Sequence, residues 1–215
     1  MTLLTMIVKM GEGLSNTCAI FSLTLLFSLP LGMVVALLRM SKNWLVSNVT
    51  RFFISILRGT PLMLQLLAVT YGPYYLWDVP VARNKLIPII IAFAMNYAAY
   101  FAEIYRGGIE AMPVGQYEAA AVLGYSKFQT FMRIILPQVI KHILPSVTNE
   151  VITLVKDTSL AFTLAYQEMF SIGKQIANSQ TSFMPFVIAG VFYYVFNSIV
   201  AFVMNRLEHC LDYYR

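Results

Sequence analysis

Two carboxylates stand where apolar residues otherwise prevail. Glu150 and Asp157 fall inside Ile143–Tyr166, one of several long apolar stretches in the chain. On insertion scales an ionisable group in such a place costs roughly 2.5–3.5 kcal/mol, so it faces a cavity or a partner. The two acids are two helical turns apart, which sets them on one face with Thr153 and Leu154 between them. Asn149, Thr158 and Ser159 add hydrogen-bonding groups beside them. Such a constellation can receive an ammonium group on its carboxylates, with the Thr158 and Ser159 hydroxyls donating to a carboxylate of the same ligand. The competing use of these groups is structural, as polar contacts between two subunits. Covalent catalysis finds no support: there is no His-Glu-x-x-His stretch and no Gly-x-Ser-x-Gly elbow. His142 and His209 have no companion at ligand spacing, and Cys18 and Cys210 lie far apart, so no metal site is expected.

The elements that must position these acids are membrane helices. Hydrophobic residues make up 59% of the 215 and charged residues only 12%, against about 45–50% and 25% in soluble domains. Five apolar stretches emerge, roughly Leu14–Leu38, Phe52–Leu76, Leu86–Ile109, Ile143–Tyr166 and Met184–Leu207. Lipid offers the backbone no partner and the alternation of a barrel is missing, so each stretch is expected to be helical. The first is too long for a signal-peptide core of about 7–15 residues and reads as a retained span. The second is interrupted by Arg58-Gly59-Thr60-Pro61. Its span either runs through or begins at Pro61 behind a Thr60 cap, with Trp44–Leu57 then lying along the interface. If the fourth span starts near Ile143, Glu150 and Asp157 stand about 10 and 21 Å above its inner end. They would bracket the midplane of a core about 30 Å thick, the depth at which transporters bind substrate.

The net charge of +5 is distributed as membrane orientation requires, and nucleic acid is not an expected partner. With the N-terminus outside and five crossings, the inner side receives Arg39, Lys42, Arg51, Arg106, Lys127, Arg133, Lys141, Arg206 and Arg215. The outer side receives only Lys9, Arg83, Lys85 and Lys174. This predicts N-out, C-in. Tyr71, Tyr74, Tyr75 and Trp77 fit an outer aromatic belt, Arg58 is expected to snorkel to the inner interface, and Glu103 and Arg106 to pair locally.

The whole chain, residues 1–215, reads as one membrane domain with a polar cytoplasmic segment at 110–142. In that segment Pro113 can open a short helix that Gly124 stops. Ser126 caps a second, with Gln129 completing a capping box, and Pro137 is expected to end it. Ala119, Ala120 and Ala121 permit close approach by another surface.

The residues here form a pattern: Glu118-Ala119-Ala120, three residues, Gly124, nine residues, Ile134, one residue, Leu136-Pro137. It resembles the signature loop of ATP-binding-cassette importer permeases, and every fixed position is matched. Arg58-Gly59-Thr60-Pro61-Leu62 with Gln65, the run Ala102–Ile109 leading to Gly115-Gln116, and Lys156-Asp157-Thr158-Ser159-Leu160 resemble the polar-amino-acid branch of these permeases. The resemblance implies an all-α fold of type I importer architecture with five transmembrane helices, in a prokaryotic inner membrane. It implies that Glu118, Ala119, Ala120 and Gly124 belong to a coupling helix docking on a separate ATPase. It also implies two ATPase copies, a second permease subunit (identical or homologous), an external amino-acid-binding protein and an amino-acid cargo. No cofactor is expected on this chain. It has no phosphate loop, since Gly173-Lys174 is followed by Gln175, so ATP and Mg belong to the partner. A secondary transporter, using Glu150 and Asp157 for a coupling ion, is the alternative reading.

Overall fold

A computed structural model describes residues 2–211, so Arg215, expected on the inner side, lies outside the described residues. The first helix, α1 (Leu3–Arg39), begins well before Leu14 because Thr2 accepts the Thr5 N–H as its cap. At about 1.5 Å per residue it is some 55 Å long, more than a bilayer core needs. Its early turns, with Met6, Met10 and Gly13, pack on α8 (Met169–Gln180) and form a small apolar cluster apart from the main core.

The second stretch is broken. Helices α2 (Trp44–Gly59) and α3 (Leu62–Trp77) meet at 109° across Thr60-Pro61, which favours the shorter second span. Thr60 is not the cap of α3, however. Its hydroxyl donates back to Ile56 O of α2, and Pro61 opens α3 with no side-chain cap. Gln65 of α3 instead satisfies the end of α2, its Nε2 donating to Leu57 O at 2.8 Å and to Thr60 Oγ1 at 2.8 Å.

The centre of the molecule is α4 (Leu86–Glu110), which packs on α1, α2, α3 and α7 (Leu136–Asp157). Its alanines make this possible: Ala92, Ala98, Ala99 and Ala102 are buried, and Gly32 of α1 sits so close that a Cβ there would lie 2.8 Å from Phe101 Cβ. Without a hydrophobic driving force between helices in lipid, small residues permit the close packing that holds them together. The outside is correspondingly apolar. On α9 (Met184–Cys210), Val187, Val191, Val195, Ile199 and Val203 form an exposed stripe.

Among the described residues, α1, α4 and α9 are each long and apolar enough to cross a membrane, and the bent α2–α3 pair can supply one broken span. The fourth stretch has a more polar character. It is α7 (Leu136–Asp157) followed by a 3-10 segment, Thr158–Leu164, whose last carbonyl accepts from Lys85 Nζ at 2.6 Å.

The segment expected on the cytoplasmic side forms an elbow of α5 (Val114–Val122) and α6 (Lys127–Thr130). Pro113 opens α5 without a side-chain cap, and Ser126 caps α6 with the Ser126–Gln129 capping box complete. Pro137, by contrast, does not end the second helix. A π turn over Phe131–Ile135 shifts the Leu136 N–H to Phe131 O, and the chain enters α7 with Pro137 in its first turn. Proline has no N–H and is tolerated there.

Candidate substrate cleft and coupling elbow

The break between α2 and α3 opens beside α4 and α7, and the three elements enclose a cleft of about 430 Å³. Its walls are Thr60, Pro61 and Leu62 from the break, Asn96, Tyr97 and Tyr100 from α4, and Glu150, Thr153, Asp157 and Leu160 from α7 and its 3-10 extension. Helical spacing puts Glu150, Thr153 and Asp157 on the face turned to α4, while Leu154 is fully buried behind them. Tyr97, stacked against Phe93 and 2% exposed, donates its hydroxyl to Asp157 Oδ2 at 2.8 Å. That bond fixes one carboxylate oxygen and leaves the rest of the group to the cleft.

Three residues expected at the site are placed elsewhere. Asn149 precedes Glu150, about 100° around the helix, and is exposed outside the cleft. Thr158 is fully buried and its hydroxyl donates to Val155 O. Ser159 likewise donates to Lys156 O at 2.8 Å. At the start of the 3-10 segment both hydroxyls satisfy their own helix, so neither is turned to a ligand in the cleft.

Sequence reasoning missed the α4 wall. Asn96 is 5% exposed and bonds Leu57 O at 3.1 Å and Gln65 Oε1 at 3.0 Å, locking the end of α2 to α4. The available signal was a carboxamide in an apolar stretch, which lipid tolerates only with a partner. The Arg58 guanidinium, exposed at the end of α2, lies 5.1 Å from the centroid of the Tyr100 ring. Glu103 and Arg106 do pair, at 2.6 Å, and Glu110 and Arg39 join them at the C-terminal end of α4.

On the elbow, Gly124 adopts φ +78°, the left-handed conformation that glycine enters freely. The N–H of Tyr125 reaches Ala120 O and that of Gly124 reaches Ala121 O, the paired bonds of a Schellman motif. Glu118, Ala119 and Gly124 are exposed. Ala120 is 2% exposed, so it packs the elbow from within instead of presenting itself to a partner. Val114, Val122, Leu123 and Phe128 are exposed apolar side chains. Paired amide bonds between Gln116 and Gln138, at 2.8 and 2.9 Å, brace α5 on α7.

Residues 28–212 match the family described as the binding-protein-dependent transport system inner membrane component. The chain belongs to that family. The permease is 39% identical over 208 residues to the octopine transport system permease protein OccM of Rhizobium radiobacter, covering 94% of this chain and 84% of that one. It is 35% identical to the nopaline transport system permease protein NocM of Agrobacterium fabrum, covering 93% and 84%. Among solved structures it superposes on an amino acid ABC transporter determined with histidines, with a TM-score of 0.87, 28% identity and 97% and 98% coverage. A methionine ABC transporter, MetNI, shares the fold with a TM-score of 0.77 at 16% identity. The permease is therefore an all-helical, type I importer subunit of the inner membrane. It is a transport component driven by ATP hydrolysis on a separate subunit, which sets aside the ion-driven alternative.

Proposed function

We propose that this permease carries amino acids, basic ones first, neutral polar ones such as glutamine or cystine second, and acidic ones last. The observation that carries the reading is a pair of carboxylates, Glu150 and Asp157, lining one side of a cleft large enough for an amino acid. Net negative charge in a low-dielectric site repels acidic ligands and attracts cationic groups. Glu150, Thr153 and Asp157 receive the ammonium or side-chain cation, and the α4 wall shapes the rest. The likeness to octopine and nopaline permeases and to an amino acid ABC transporter supports this cargo class.

In the same reading, the elbow docks on the ATPase through Glu118, Ala119, Gly124 and the exposed Val122, Leu123 and Phe128. The working unit holds two ATPase copies, a second permease subunit and an extracytoplasmic binding protein. The chain runs from an outer N-terminus to a cytoplasmic C-terminus. The test of the cleft is uptake of arginine and of glutamine by the reconstituted importer carrying Glu150→Gln or Asp157→Asn. Loss of arginine transport with glutamine retained is the expected result. Wild-type rates for both substrates in both variants would make the two acids structural.

A further inference from the structure

We propose that the exposed side of α2 binds an anionic phospholipid, its phosphate on Lys42 and Arg51 and an acyl chain along the neighbouring apolar stripe. The helix divides into three sectors around its axis, each about 60° wide at about 100° per residue. Thr50, Ile54 and Leu57 occupy the first and are buried against the protein. Leu45, Val49, Phe52 and Ile56 occupy the second and are each 46–67% exposed. Arg51, Ser55 and Arg58 occupy the third and are exposed as well. A helix that only filled space between its neighbours would need the first sector alone. An apolar stripe beside a basic edge, with Trp44 exposed at the start, is the pattern of a helix that meets the boundary between acyl chains and headgroups.

The charge on this side has one sign. From Gly13 to Trp77 the chain holds four basic residues, Arg39, Lys42, Arg51 and Arg58, and no acid. Two of the four are engaged within the subunit. Arg39 lies against Glu103 and donates to Ser47, and Arg58 stacks on Tyr100. Lys42, beside the Asn43 cap, and Arg51 are exposed and have no protein partner among the described residues. A phosphate diester supplies the missing anion: the Arg51 fork matches its oxygens in pairs, and Lys42 adds a point charge. Both side chains have apolar stems long enough to follow the helix to that headgroup.

Other occupants fit less well. A soluble anion would satisfy the basic edge and leave the apolar stripe bare. A second copy of this chain, packed two-fold on this face, would set Arg51 against its own counterpart, like charge on like. A lipid carries the anion and the hydrocarbon in one molecule, and an inner membrane surrounds the helix with it. The site is independent of which cargo the cleft takes, yet it backs onto that cleft. The last turn of α2 leads into Thr60 and Pro61 of the cleft wall, and Asn96 ties its Leu57 carbonyl to α4.

Trp44 provides the test, because the chain has only two tryptophans and Trp77→Phe leaves it as the reporter. The full-length permease carrying Trp77→Phe is placed in phosphatidylcholine vesicles. Dibrominated phosphatidylglycerol or dibrominated phosphatidylcholine then replaces a rising share of the lipid, and quenching of Trp44 gives the relative binding constant of the two. Phosphatidylglycerol is expected to bind about fivefold more strongly, the effect of roughly one basic residue at an anionic surface. Lys42→Gln with Arg51→Gln is expected to bring the ratio close to one, and Lys42→Arg with Arg51→Lys to keep it. Lys9→Gln with Arg206→Gln removes the same charge elsewhere and is expected to leave the ratio unchanged. Equal quenching by both lipids in the parent overturns the proposal, as does a preference that survives loss of Lys42 and Arg51. An equal loss in the Lys9 and Arg206 variant reduces the preference to net charge and also overturns it. Quenching by neither lipid means that protein covers this side of α2, and the lipid site is then wrong.

Discussion

The docking surface of the elbow can be tested at Gly124, where two effects of substitution separate. The residue has φ +78°, and a Cβ built there meets nothing within 4 Å. An added Cβ therefore does not clash in the free subunit. What remains is backbone strain of about 1–2 kcal/mol for an ordinary L-residue, less for Asp and Asn, which enter the left-handed region more readily. Strain alone therefore predicts that Gly124→Ala is at least as harmful as Gly124→Asp. Docking predicts the reverse order. A carboxylate carried into an interface beside Val122, Leu123 and Phe128 is desolvated without a partner, which costs about 2–5 kcal/mol, or roughly 30-fold or more in affinity. We expect Gly124→Ala to keep most ATPase binding and Gly124→Asp to lose it, while both insert and fold. The assay is the dissociation constant of the ATPase for the nanodisc-embedded permease, together with substrate-stimulated ATP hydrolysis in liposomes. Equal affinities for the two variants, or Ala the worse, would refute the docking argument and leave Gly124 a helix stop only.

Other outcomes follow from the rest of the chain. With N-out and C-in, a tag after Arg215 should resist external protease and a cysteine placed at Asn178 should label from outside; labelling only after permeabilisation would reverse the orientation. At Gly13 an added Cβ would lie 2.9 Å from the Met169 backbone, whereas at Gly11 it would meet nothing. Gly13→Ala should therefore lower the melting temperature of the solubilised permease, by about 1–3 kcal/mol of overpacking, and Gly11→Ala should not lower it. Glu168, in the connection before α8, is fully buried, and burial pushes its carboxyl up to about 7 despite bonds from the Phe170 and Ser171 N–H groups and the Tyr193 hydroxyl. The folded state then holds a proton that the unfolded state releases near pH 4.5, so stability should fall as pH rises from about 4.5 to 7 and level off above. Glu168→Gln should flatten that slope, and an unchanged slope would assign it to other groups.

The fold was largely legible because lipid makes span length and capping chemistry nearly sufficient. Apolar runs located the long helices, and the Ser126 box and Gly124 stop defined the elbow to the residue. The errors have specific causes. Pro137 reads as a helix stop only if the ladder is assumed to be α throughout, and the π turn at Phe131–Ile135 removes that assumption. Thr158 and Ser159 look available in sequence, but in a 3-10 segment their hydroxyls turn to their own carbonyls. The α4 wall of the cleft could not be read because Asn96, Tyr97 and Tyr100 lie some fifty to sixty residues from Glu150 and Asp157, and only packing brings them together. The acids themselves were legible for the opposite reason, since their spacing is a property of one helix.

The failure of Pro137 to break the chain bears on how the two sites could work together. From Lys127 to Leu164 every residue is helical, with changes of winding at Phe131 and Thr158 but no intervening loop. The elbow's second helix and the acids of the cleft therefore share one continuous element. The paired amides of Gln116 and Gln138 bind the elbow's first helix to the same rod. A push on the elbow has no hinge loop in which to dissipate before it reaches Glu150. The opposite wall is anchored separately, since Arg58 and the α2–α3 break hang on α4 through Asn96. The proposed cleft thus lies between an element tied to the elbow and an element tied to the central packing of α4. Relative motion of α7 against α4 would change the separation of Asp157 from Tyr97.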